Sequence, residues 1–145
     1  MTEEQVAVDV NLAQENILAV LAAGFAAMLG GAVLWALVTV ITHLELGLMA
    51  IVVGFLVGLG IQKVRKRPNT NFGILGAVLA FAGCLLGNAF SFIAIAAQQS
   101  SAPFLDTILN VSVMGLLSAM TDNFEAMDLV FYAIAIYEGF KFASR

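Results

Sequence analysis

The chain has 145 residues, 61% of them hydrophobic and 11% charged, with a mean hydropathy of +0.99 and a net charge of −4. A soluble domain carries roughly twice that charge fraction, so these polar groups cannot cover a water-facing surface and part of the solvent must be lipid. At ~20 residues per span, about four spans use up most of the chain, which leaves short loops and no separate soluble domain.

Residues 1–16, "MTEEQVAVDVNLAQEN", are acidic. They lack the positive n-region of a cleavable signal peptide, and the apolar stretch that follows is too long for an h-region, so the segment reads as retained. Residues 17–42 hold no ionisable group and are long enough to span with tilt. Thr39 and Thr42 near the end of this span can bond back to carbonyls of their own helix. "HLEL" at 43–46 makes a tight link to a second span at about 46–62. His43 and Glu45 form an HxE pair in that link. Two ligands fall short of the three or four that a stable metal site uses.

The second span ends in "QKVRKR", where Lys63, Arg65, Lys66 and Arg67 place four cations in five positions. Pro68 breaks the helix, and "NTN" supplies turn residues and a cap. A third span covers about 72–97, followed by the polar loop "QQSSAP", in which Pro103 suits the first turn of a new helix. In 104–121, Asp106, Thr107, Asn110, Ser118 and Thr121 share about a third of the helical circumference. The pattern predicts a helix lying in the membrane interface, with a fifth span or a re-entrant segment as alternatives. The last span is expected at about 124–142. Glu138 and Lys141, three apart, can pair there while Lys141 snorkels.

All six basic residues lie at 63–67 or at Lys141 and Arg145. Four spans put both groups on one side, together with the N-terminus, and the positive-inside rule makes that side cytoplasmic. The expected fold is therefore an all-α integral membrane protein, a four-helix transmembrane bundle plus one interfacial amphipathic helix, in a single domain over 1–145.

Small residues recur on one face of three spans. They are Ala19, Ala23, Ala26 and Gly30 in the first, and Gly47, Ala50, Gly54 and Gly58 in the second. In the third they are Gly73, Ala77, Ala80, Cys84, Gly87 and Ser91. Helices in lipid have no hydrophobic drive to associate, so close backbone approach at small residues must supply the contact. Ala23, Gly30, Gly47, Gly54, Gly58, Gly76, Ala80, Gly87 and Asn88 are the expected helix-packing positions. Asn88, the one strongly polar side chain well inside the third span, should face the bundle and hydrogen-bond a neighbouring helix.

Asp122, Glu125 and Asp128 precede the last apolar run and, with Asp106 on the same outer side, could form an acidic rim for a cation or a partner. Cys84 is the only cysteine, so no intramolecular disulfide forms. A second histidine, an HExxH and a phosphate-binding loop are all missing, and no metal, cofactor or enzymatic activity is expected. The basic loop lacks the area and interleaved aromatics of a nucleic-acid site. Trp35, the methionines and the phenylalanines read as lipid-facing or packing residues.

The stretch 30–66 has a Trp-Ala pair in its first helix, a Thr-x-x-Thr near that helix's end, and a Gly/Ala-rich second helix ending in basic residues. It resembles a helical hairpin of small uncharacterised bacterial inner-membrane proteins. The resemblance implies an inner-membrane address and no particular activity. The expected function is that of a non-enzymatic accessory or scaffold subunit, packing against itself or a larger membrane partner among membrane lipids. A small homo-oligomeric cation channel or transporter, with the acids as an outer vestibule and Asn88 in the path, is the alternative.

Overall fold

A computed structural model describes residues 2–43 and 47–145, with the side chains of 9–16 outside the description. The described residues form helices and short connections with no strand. Glu45, half of the expected HxE pair, lies outside the described residues; His43 is exposed.

Helix α1 runs from Glu3 to Thr42, 40 residues without a break. It starts well before the expected span at 17–42 because Thr2 and Gln5 form a capping box. Thr2 Oγ1 accepts from the Gln5 N–H at 3.3 Å, and Gln5 Oε1 accepts from the Thr2 N–H at 3.2 Å. Glu3 and Glu4 add favourable charge in the first turn, and no Gly or Pro interrupts 3–16. At ~1.5 Å per residue the helix is about 60 Å long, twice a ~30 Å hydrocarbon core. It stops at His43, which adopts φ 55° and donates its N–H to the Thr39 carbonyl.

Helix α2 spans Met49–Val64 and α3 spans Thr70–Ser100. The expected cap at 69–71 forms: the Asn69 side chain accepts from the Asn71 N–H at 2.9 Å. The segment expected as one interfacial helix is instead two, α4 (Phe104–Asn110) and α5 (Val113–Asp122), bent by 100°. Local side-chain bonds cause the break. Asn110 Nδ2 turns back to the Asp106 carbonyl at 2.8 Å, Val111 is extended, and Ser112 Oγ caps the next helix by accepting from the Gly115 N–H at 3.3 Å. Helix α6 covers Ala126–Ser144, and Asp128 Oδ2 accepts from the Glu125 N–H at 2.9 Å at its start.

Ile17–Thr42 and Thr70–Ser100 are long and apolar enough to cross a membrane, and the bent α4–α5 pair would make a third crossing if it counts as one span. Among the described residues two or three helices thus pass by length and composition, against the four spans expected. Helix α2 has only 16 residues, and α6 carries Asp128, Glu138 and Lys141 in its 19.

Helices α2 and α3 touch each other and both flank α1 on one side and α6 on the other; α1 and α6 do not meet. Helix α1 runs parallel to α3, pairing Trp35 with Gly87 and Thr39 with Ser91. Helices α2 and α6 run the other way, pairing Gly47 with Asp128 and Gly58 with Phe142. Val20, Val53, Val57 and Ile61 are fully buried between them. Leu18, Phe25, Leu29, Leu37 and Ile41 stay exposed on the outer face of α1, where lipid is their natural solvent. Helices α4 and α5 contact only α3.

Lys141 makes no contact ion pair with Glu138, although its charge still acts on that carboxylate. Its Nζ stands 5.7 Å from the Tyr137 ring centre and 5.9 Å from that of Phe142, while Glu138 Oε2 is buried with no hydrogen-bond partner. Two adjacent rings offer the ammonium a cation–π position.

Candidate functional site

The small residues of α2 and α3 bring α6 into the groove between those helices. A Cβ added at Gly54 would stand 2.6 Å from the Ala135 Cα, and one at Gly58 would stand 2.8 Å from the Phe142 Cβ. One at Gly76 would strike the Gly139 carbonyl and stand 2.6 Å from the Ala143 Cβ. Ala80 is fully buried and lies 2.8 Å from where a Gly139 Cβ would be. Gly87 admits the Trp35 ring from α1, whose Cε3 would lie 2.7 Å from an added Cβ. The Ala23 carbonyl faces Gly60, 3.3 Å from that glycine's would-be Cβ. Gly30 differs. It is exposed, with nothing within 4 Å of an added Cβ, because the face of α1 turned to α2 and α3 carries Gly24, Met28, Gly31 and Trp35 instead.

Polar side chains converge at the end of the bundle where α2 and α6 begin. Tyr132 Oη donates to the Cys84 carbonyl at 3.4 Å and accepts from Asn88 Nδ2 at 3.4 Å. Cys84 Sγ in turn reaches the Ala50 carbonyl at 3.8 Å, so α2, α3 and α6 are tied in one layer. On the α1 side, Thr39 and Ser91 share a hydroxyl–hydroxyl hydrogen bond of 3.2 Å, and Ser91 Oγ donates to the Gly87 carbonyl at 2.7 Å. Thr39 thus bonds across to α3, whereas Thr42 bonds back to the Val38 carbonyl at 2.7 Å as expected.

Above this layer opens a cleft of about 170 Å³. Trp35 and Thr39 line it from α1, and Asn88, Ser91 and Phe92 from α3. Gly47, Asn123 and Glu125 come from the connections, and Asp128 and Tyr132 from α6. Asp128 lies beside two helix starts. One carboxylate oxygen accepts from the Glu125 N–H, and the other would lie 2.8 Å from a Cβ at Gly47, just before α2. The positive ends of two parallel helix dipoles therefore meet this charge, each favouring it by about 0.3–1 kcal/mol. Only glycine at 47 leaves room for it.

Asn88, Glu125 and Asp128, 40 residues apart along the chain at the extremes, thus share one cleft. Asp122 does not join them; it accepts from Ser118 Oγ at 3.2 Å on the exposed end of α5. Among the described residues no group of three or more His, Cys, Asp or Glu could hold a metal ion. Thr39, Ser91, Trp35, Asn123 and Tyr132 were not expected as cleft residues. Ser91 ends the small stripe of α3, four residues after Gly87, which was the one available signal. Nothing local marked Tyr132, whose hydroxyl meets Asn88 only because α6 packs antiparallel to α3.

The chain was compared with protein-family models, curated proteins and solved structures, and none matches it.

Proposed function

We propose that the chain is a non-enzymatic accessory or scaffold subunit of a bacterial inner membrane, with four spans and both termini cytoplasmic. Helices α2 and α6 lie alongside the two long apolar helices through most of the bundle, which supports counting them as spans. At ~1.5 Å per residue α2 alone covers about 24 Å, a shortfall that local bilayer thinning accommodates at modest cost. The cations at 63–67, Lys141 and Arg145 gather at one end of the bundle, which the positive-inside rule assigns to the cytoplasm.

One observation carries the assembly reading. The small residues of α2 and α3 are used inside the chain, while on α1 Ala19, Ala26 and Gly30 remain exposed, with open space at Gly30. A small-residue stripe turned to lipid is a surface on which another helix can pack closely. The occupant is a second copy or a larger membrane protein. The channel alternative receives less support, because the backbone contacts of Gly54 with Ala135 and Gly76 with Gly139 close the groove beneath the cleft.

The test is the size and composition of the protein purified from native membranes in mild detergent. A defined homo-oligomer or stoichiometric membrane partner is expected, weakened by Gly30→Leu. A monomer without partner overturns the proposal, and cation flux in proteoliposomes would favour a channel.

A further inference from the structure

We infer that the basic end of the bundle, centred on Arg65, is a binding site for the headgroup of an anionic phospholipid. Three helix termini build this end. Gly58 of α2 faces Phe142, and Gly73 of α3 faces Phe140 and Ser144. The end of α2, the start of α3 and the end of α6 therefore lie together, and the cations of 63–67 share one rim with those near the C-terminus.

The side chain of Arg65 points to the ligand. The residue closes α2, donating its backbone N–H to the Ile61 carbonyl at 2.9 Å, and is half-buried. Its Nε and Nη2 are both shielded from solvent, and neither has a hydrogen-bond partner among the described residues. These two nitrogens carry the parallel N–H bonds on one edge of the guanidinium, the fork that takes two oxygens of a phosphate at once. Arginine keeps its charge in a protein, and a buried charged donor left unpaired costs free energy. An anion that bonds the fork removes this cost. Because Arg65 is only half-buried, rotation about its own stem brings the fork to the surface.

The surroundings select the class of anion. Lys63, Lys66 and Arg67 are exposed beside Arg65, and the start of the 31-residue α3 adds the positive end of its dipole. Four cations in five positions favour a headgroup of net negative charge over a zwitterionic one, whose ammonium they repel. Apolar side chains at the same depth offer a place for acyl chains. Gly24 faces Ile61 across the antiparallel pair of α1 and α2, which sets Ile17 and Leu18, 47% and 67% exposed, level with 63–67. On α3, Ile74 and Val78 are 55% and 59% exposed, within about two turns of its start. Exposed apolar surface beside a basic rim suits a lipid, whereas a water-soluble phosphate makes no use of it. The inference rests on this end lying at a membrane surface and not on assembly, which is read separately from particle size.

The test uses the full-length protein in a neutral detergent, titrated separately with dioctanoyl phosphatidylglycerol and dioctanoyl phosphatidylcholine, with bound lipid counted by native mass spectrometry. Inorganic phosphate is added as a competitor. Saturable binding of the anionic lipid is expected, at least about tenfold tighter than that of the zwitterionic one and not displaced by an equal concentration of phosphate. Arg65→Gln should weaken it at least about tenfold, and Arg65→Lys, which keeps the charge and loses the fork, by about threefold or more. Arg67 is exposed, so Arg67→Gln keeps the fold and should weaken binding by about threefold. Equal affinity for the two lipids, displacement by phosphate, or unchanged affinity in Arg65→Gln would each overturn the inference. If Arg65→Gln fails to fold, unchanged affinity in Arg67→Gln overturns it instead.

Discussion

Gly76 on α3 and Gly139 on α6 pack backbone against backbone. A Cβ on either would run into the other's carbonyl oxygen, and one at Gly139 would also stand 2.8 Å from the Ala80 Cβ. Neither position can grow without separating the helices.

Gly76→Val and Gly139→Val should therefore destabilise the bundle by about 1–3 kcal/mol or more, the cost of overpacking a close-packed interior. Gly30→Leu, in open space, should stay within about 0.5 kcal/mol in a dissociated, monomeric preparation. Thermal unfolding in detergent, followed by circular dichroism, separates the two outcomes. Equal effects at the three sites would contradict the packing described.

Gly54→Leu should act in the same way as the α3 variant, lowering stability by unseating α6. It should not selectively weaken assembly, because the Ala135 backbone already occupies the space above it. Unfolding midpoint and particle size measured on one sample distinguish these effects.

Tyr132→Phe removes the hydroxyl shared by Cys84 and Asn88. The expected loss is about 0.5–1.5 kcal/mol. A double-mutant cycle with Asn88→Leu should give a coupling of about 0.6 kcal/mol, typical for side-chain hydrogen bonds between helices in a membrane. Purely additive losses would show that the two side chains do not interact.

Thr2→Ala breaks the capping box at the start of α1. The first-turn amides should then exchange faster with solvent, reflecting a local loss of about 0.5–2 kcal/mol. Amides from Val20 onward, in the packed part of α1, should keep their protection. Hydrogen exchange read by mass spectrometry checks both halves of this expectation.

Cys84 is fully buried between helices, so a membrane-permeant maleimide should leave the folded protein unlabelled and modify it on denaturation. Rapid native labelling would place Cys84 on an accessible surface.

Particular residues show how far the pattern of the chain reaches. The Asn69 cap, the apolar runs of α1 and α3, and the helix-packing use of Gly54, Gly58 and Gly76 follow from local rules, because spacing along a helix places residues on faces without reference to the rest of the fold. The early start of α1 was legible too, as Thr2-x-x-Gln5 before a run free of Gly and Pro. The break at Val111 was harder to see. The periodicity of 104–121 continues through it, and the stop comes from the competing side-chain bonds of Asn110 and Ser112.

Helicity, the largely apolar composition, the cations at 63–67 and near the C-terminus, and the small residues lining three helices can all be read along the chain. Composition and a 3.6-residue period suffice for these conclusions. Which stripes are used depends on the packing of the helices: α6 fills the groove of α2 and α3, while Gly30 is left outside. That packing also decides that Asn88 meets Tyr132 and shares a cleft with Glu125 and Asp128. Helix order and direction bring distant positions to one depth, and neither is written in the periodicity of a single helix.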